Sequence, residues 1–253
     1  MGRWAIMVAA MLAKHKTIAL VATLLALLLL PIPARATTTP SNVPNQMRDY
    51  AGSVAAEDLL IRVDEALNAI TYTYYSTVNV WDALRGIYKV VCAGYMNHVL
   101  DEALPSHYDA IRDYFGKGRL GIWDYYSYFR AISYGSSKGG WKRITRVTDL
   151  RPGDVIVWKY SEDSSSPAWG HGVVAVGLPE RDYRWSGVYK LRISDSTRSP
   201  HSNDNRGTAG SGVGAGEMLF KVDSDGKPVK YAWTLKGYFK SDINGMALVR
   251  PIN

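Results

Sequence analysis

Cys92, His171 and Asp195 are the residue types that run covalent acyl transfer: a thiol that attacks a carbonyl, an imidazole that accepts and returns the proton, and a carboxylate that holds the imidazole in one tautomer. Cys92 is the only cysteine in 253 residues. Two readings of it compete. Free cysteine is also an ordinary small core residue, inert when buried, so its role depends on what surrounds it.

The compartment sharpens the question. The first residues, "MGRWAIMVAAMLAKHKTIALVATLLALLLLPIPARA", hold a basic lead ending at Lys14 and Lys16, an uncharged run from Thr17 to Leu30, Pro31 and Pro33, and the small-x-small triplet Ala34-Arg35-Ala36. This pattern predicts a secretory signal peptide over 1–36. The apolar run is shorter than the roughly 20 residues a membrane-spanning helix needs, so the membrane is met only during export. The expected location is secreted, periplasmic or in the cell envelope. Exported cysteines usually occur in pairs. An unpaired one needs a reason, and a nucleophile supplies it.

Residues 37–253 are within the size of one domain and long enough to bury a core without staples. A helical part is expected over about 53–135 and a β-rich part over about 150–253. The formal charge of +7 includes Arg3, Lys14, Lys16 and Arg35 of the leader, and the mild excess that remains gives no reason to expect a nucleic-acid partner.

The elements that must position the three residues follow from periodicity. Leu59, Leu60, Val63, Leu67 and Ile70 repeat at helical spacing within Ser53–Ile70. Cys92 directly precedes "AGYMNHVLDEAL", in which Met96, Val99, Leu100 and Ala103 share one helix face before Pro105. The cysteine therefore opens a helix, where unpaired amides and the dipole favour the thiolate. Gly94 is expected to leave room for a substrate backbone.

Among the histidines, His15 leaves with the leader. His98 turns away from Cys92 on the same helix. His107 opens a further helix for which Ser106 and Asp109 make a cap. His171 differs: "GHGVVAVG" reads as a buried strand beginning at the histidine. Before it, "LRPGDVIVWKY" is a Pro-Gly-Asp turn feeding a strand over Val155–Tyr160. A satisfied core histidine remains the competing reading.

On the next strand, "VYKLRISDST", Asp195 follows Leu191 and Ile193 on one face where a third apolar residue is expected if the face were core alone. His201 and Asp204, in "SPHSNDNR", compete for the same orienting role if their loop folds back. The clustered ligands of a metal site are missing, so neither metal nor cofactor is expected.

In this order the motifs resemble the NlpC/P60 superfamily of papain-like cysteine peptidases and amidases. The residues that carry the resemblance are Cys92 with Gly94, then Leu150, Pro152, Gly153 and Asp154, then His171 with Gly177, over about 80–200. The resemblance implies an α+β fold with an antiparallel sheet packed against helices and the cysteine at a helix N-terminus. It also implies cleavage of amide bonds, often in bacterial cell-wall peptides. The chain departs from the family where aspartate and serine usually flank the cysteine, at Val91 and Ala93, and Asp195 stands where histidine, asparagine or glutamine is usual.

Substrate binding is assigned to Tyr88, Gly94, Trp123, Tyr126 and Trp169, because exposed aromatics add contact area at low entropy cost; core packing competes for part of this set, as for Tyr125, Tyr128 and Trp141. "GTAGSGVGAGE" lacks the setting of a phosphate loop and reads as a flexible loop near the site. Asp225-Gly226 marks a hairpin between Met218–Val222 and Val229–Trp233, and Met246–Val249 a last strand. The expected protein is a secreted cysteine hydrolase acting on a peptide or peptidoglycan-like substrate. The alternatives are a thiol acyltransferase or transglutaminase-like enzyme, and a non-catalytic envelope-binding protein with an inert buried cysteine.

Overall fold

Apolar runs in the second half of the chain form a ten-stranded antiparallel sheet. The structure is a computed structural model and describes residues 45–162, 169–206, 210–241 and 243–253. The expected signal peptide lies outside the described residues, among which no helix is long and apolar enough to cross a membrane. The strands are β4 (Ser137–Lys138), β5 (Trp141–Ile144), β6 (Val155–Tyr160), β7 (Gly170–Ala175), β8 (Glu180–Arg181), β9 (Val188–Thr197), β10 (Gly212–Val222), β11 (Pro228–Ala232), β12 (Phe239–Lys240) and β13 (Ile243–Pro251). Their order is β12-β11-β10-β9-β7-β6-β13-β5-β4, with β8 paired to β9. The β-rich part thus begins earlier than expected, ahead of Trp141.

β6 and β7 read as continuous apolar runs rather than alternations because both faces of the sheet are covered. On one face, Ile156, Trp158, Val173, Leu191, Phe220 and Leu248 pack together as the sheet curls, bringing β11 against β13 although several strands separate them in the order. The other face carries Val155, Val157, Val174 and Val213, and the helices lie on it. These are α1 (Val54–Ala69), α2 (Cys92–Ala103), α3 (Pro105–Phe115) and α4 (Ile122–Ala131). The class is therefore α+β.

Ser53 caps α1 by accepting from the Ala56 amide at 3.0 Å, and its hydroxyl donates to the Pro251 carbonyl, tying the first helix to the last strand. α2 starts at Cys92 with Val91 as an uncapped, extended first residue. Pro105 ends it by taking the first position of α3, where no backbone N–H is needed. The expected cap on α3 is absent: the flanking residue is Leu104, and Asp109 pairs with Arg112 at 3.1 Å instead.

In "LRPGD", Gly153 adopts φ +88°, and a Cβ there would sit 2.3 Å from the Ala56 carbonyl oxygen, so the turn lies flush against α1. Asp154 is fully buried. It accepts from the Arg151 amide and from two guanidinium nitrogens of Arg250, each at 2.8 Å, so the turn is pinned to β13.

Asn97 joins the helices. Its side-chain oxygen accepts from the Tyr108 and Tyr125 hydroxyls at 2.9 Å, and its amide donates to the Leu120 carbonyl at 2.9 Å. Asn97→Ala leaves two buried hydroxyls without acceptors and is expected to cost about 3 kcal/mol in urea unfolding. A loss below about 0.5 kcal/mol, the range of neutral surface changes, would contradict this role.

One element of the helical part has no counterpart among the sequence expectations. β1 (Tyr72–Tyr74), β2 (Val80–Asp82) and β3 (Ile87–Lys89) form a separate small sheet in the order β1-β3-β2, with β1 parallel to β3. Each strand is three residues long, too short for a period to show. This sheet delivers Tyr75 to the start of α2.

Candidate active site

The start of α2, the start of β7 and the end of β9 meet at one end of the sheet, and they bring Cys92, His171 and Asp195 together. Cys92 is buried, with 4% of its surface exposed. His171 Nε2 lies 2.6 Å from Asp195 Oδ2, and the Cys92 side chain is the imidazole's other polar neighbour in the cleft. With Nε2 committed to the carboxylate, Nδ1 is the nitrogen left for the sulfur. Trp158 and Trp233 pack against the ring, with centroids 5.2 and 5.0 Å away. Burial by itself would lower the imidazole's pKa. The hydrogen bonds and charges of Asp195 and Cys92 outweigh it and push His171 up to about 9.

Asp195 is fully buried and fully engaged. Oδ2 accepts from His171 and, at 3.1 Å, from His201 Nε2; Oδ1 accepts from both terminal nitrogens of Arg206 at 3.0 Å. Burial would raise its pKa, but His201, Arg206 and His171 hold the carboxyl well below the usual range. Asp204 completes the shell, accepting from the His201 amide and from Arg206 at 2.8 Å each. His201 Nδ1 also faces the Trp233 carbonyl at 3.0 Å. His201 and Asp204 therefore do fold back, as supports of Asp195 rather than as replacements for it.

This shell corrects the reading of "GTAGSGVGAGE" as a loop. From Gly212 onward the segment is β10, paired with β9 through Gly214↔Asp195 and Gly216↔Ile193; residues 207–209 lie outside the described residues. Its alternate glycines make room. A Cβ on Gly214 would come within 2.5 Å of the Arg206 side chain, and one on Gly216 within 2.7 Å of His201 Cβ. Glycine is needed here because another chain segment lies on the strand, not because the strand is mobile.

The three residues open into a cleft of about 590 Å³. Trp123 and Trp169 line it, at 45% and 75% exposure. The other substrate-binding expectations are corrected. Tyr88 is fully buried on β3, its ring 4.3 Å from Trp81. Gly94 faces Asn79 and Val90, where a Cβ would meet Asn79 Oδ1 at 2.7 Å, so its small size serves packing. Tyr126 is buried in α4 and donates to the Asn244 carbonyl at 2.6 Å. Tyr125, Tyr128 and Trp141 are core residues.

Sequence reasoning missed Tyr75, Tyr160, Arg198 and Trp233, which also line the cleft. The Tyr75 hydroxyl lies beside Cys92, close enough for the thiol to influence its titration. Burial, then the neighbouring Cys92, raises its pKa, so it stays a hydroxyl. The one sequence signal for it is the aromatic run "TYTYY" shortly before the cysteine.

The other two histidines among the described residues have structural places. His98 stacks on Trp81 at 4.9 Å, and burial, helped by Arg119, lowers it to about 4. His107 Nε2 donates to the Ile252 carbonyl at 2.8 Å. Among the described residues no group of three or more His, Cys, Asp or Glu side chains is arranged to hold a metal ion. No family model matches the chain, and neither a curated protein nor a solved structure matches it.

Proposed function

We propose that the chain is a cysteine hydrolase of the papain-like kind, an amidase or endopeptidase that works outside the membrane on cell-wall peptides. The observation that carries this reading is Cys92 beside His171 in one cleft, with His171 Nε2 bonded to the buried Asp195. A cysteine at a helix start packed on an antiparallel sheet supports the papain-like assignment. The leader expected over 1–36 supports the location.

The Cys92 sulfur attacks the amide carbonyl while its proton rests on His171 Nδ1. The resulting oxyanion would take its hydrogen bonds from the backbone N–H of Cys92 at the helix start and from the neighbouring Tyr75 hydroxyl. His171 passes the proton to the leaving nitrogen, the C–N bond breaks and an acyl-thioester remains. Water, deprotonated by His171, then attacks the thioester; the acid leaves and the thiol is restored. Asp195 holds the ring in place throughout.

The test is release of free amino groups from purified peptidoglycan by the mature protein, with Cys92→Ala beside it. Release that persists in the alanine variant would sink the proposal, and product that forms only with an added amine acceptor would make the protein a transferase.

The charge on His171 sets a pH limit. Its folded pKa, about 9, lies above the ordinary 6.5. The stability that its partners confer is therefore fully present below about pH 6.5 and is lost as pH rises through about 9. Amide cleavage needs the same proton for the leaving group and is expected to fall above about pH 9. Alkylation of Cys92, which needs only the thiolate, is not expected to fall there. Matching alkaline limbs in the two profiles would contradict the assignment of His171 as the acid.

A further inference from the structure

The cleft is chemically one-sided. Its walls carry Tyr75, Trp123, Tyr160, Trp169 and Trp233, and among the described lining residues the only charged side chain besides His171 is Arg198. No acidic side chain among them could pair with a substrate ammonium. Arg198 is exposed, and its guanidinium carbon lies 5.3 Å from the centre of the Tyr75 ring, the ring whose hydroxyl touches Cys92.

Among the described residues, the contact this guanidinium makes is with the Tyr75 ring. Asp195 and Asp204, the carboxylates nearest in sequence, are committed to His171, His201 and Arg206. No ion pair among the described residues includes Arg198. Its backbone is nevertheless held firmly. Arg198 directly follows β9 in a turn closed by Thr197 Oγ1, which accepts from the Ser199 amide at 3.3 Å and donates to the Ser199 carbonyl at 3.2 Å. Trp233 Nε1 donates to the same carbonyl at 2.9 Å. A guanidinium with no ion pair among the described residues is thus presented from a hydrogen-bonded turn at the end of the strand that carries Asp195.

Resting on the hydrolase reading, we propose that Arg198 binds a carboxylate of the substrate close to the bond that Cys92 attacks, while the aromatic walls take the adjoining apolar or sugar part. A planar guanidinium suits a carboxylate through two parallel hydrogen bonds. The charge balance favours the same partner. One guanidinium matches one negative charge, whereas a phosphomonoester brings nearly two. Lys159, whose ammonium lies 4.1 Å from the centre of the Trp123 ring, is not among the residues lining the cleft.

Two alkylating reagents test this without a substrate. With iodoacetate and iodoacetamide alike, the Cys92 thiolate forms the S–C bond, the C–I bond breaks and iodide leaves; one reagent carries a carboxylate and the other a neutral amide. The readout is the ratio of the two rates, so any change in the thiol itself cancels. Arg198→Met is expected to lower the iodoacetate-to-iodoacetamide ratio about fivefold at low salt, the scale of one exposed charge pair. Arg198→Lys should retain part of the preference.

A ratio equal in the native protein and Arg198→Met would overturn the proposal. Stronger protection of Cys92 by inorganic phosphate than by acetate at equal concentration would overturn the choice of carboxylate. Failure of the underlying reading looks different: iodoacetamide then reacts slowly and at the same rate in His171→Ala. If the iodoacetamide rate depends on His171 while the ratio ignores Arg198, the hydrolase reading stands and the Arg198 proposal alone falls.

Discussion

His171→Ala is expected to slow iodoacetamide alkylation of Cys92 at pH 6.5 by about 100-fold, the low end of what a positioned base contributes. The imidazolium supplies the charge that faces the sulfur, and Asp195 keeps it there. Alanine removes the charge and the proton acceptor together. Hydrolysis should suffer more, because the leaving nitrogen also loses its proton donor. His171→Ala and Cys92→Ala should then be about equally inactive, since both act in one unit. Near-UV circular dichroism separates this from unfolding. A folded His171→Ala protein whose thiol reacts as fast as the native one would leave Cys92 an inert core residue, the alternative that a lone buried cysteine always allows.

Arg206→Met should be the most damaging change outside the three central residues. The Arg206 side chain is 1% exposed and bonds both Asp195 and Asp204, whose side chains are 0% and 2% exposed. Removing it leaves Asp204 without its guanidinium and Asp195 with only the imidazoles of His171 and His201, both on Oδ2. Breaking a buried pair in this way costs roughly 3–5 kcal/mol, and urea unfolding would read it. The alkaline limb set by His171 should shift as well, which a purely structural arginine would not cause. The double variant Arg206→Met with Asp195→Asn removes both charges and should lose less stability than the two single losses added together. Strict additivity would mean that the two side chains do not act on each other.

The chain's local periods carry a good part of this arrangement. α2 opens at Cys92 because apolar residues repeat every three to four positions after it and Pro105 stops them. β9 spans Val188–Thr197, the range its alternation indicates, and Asp195 interrupts an otherwise apolar face. Element type is a short-range property, set by which face a run of side chains must bury. The same logic misread Gly212–Gly216. Glycine lowers strand propensity locally, and only the loop lying across β10 explains why small residues belong there.

What could be read along the chain was Cys92, His171 and Asp195 as one candidate group, the helix start and strands that carry them, and the α+β class. Tertiary structure decided what surrounds them. Arg206 and His201 reach Asp195 because a loop folds back over the glycines of β10, Tyr75 reaches Cys92 from a sheet of three-residue strands, and Tyr88 and Tyr126 go into the core while Trp123 and Trp169 stay in the cleft. These placements depend on contacts between residues far apart in the chain, many of them hydrogen bonds and charge pairs that leave no period in the sequence. A run of apolar residues announces the surface it must hide. A loop arginine carries no mark of the carboxylate it will meet.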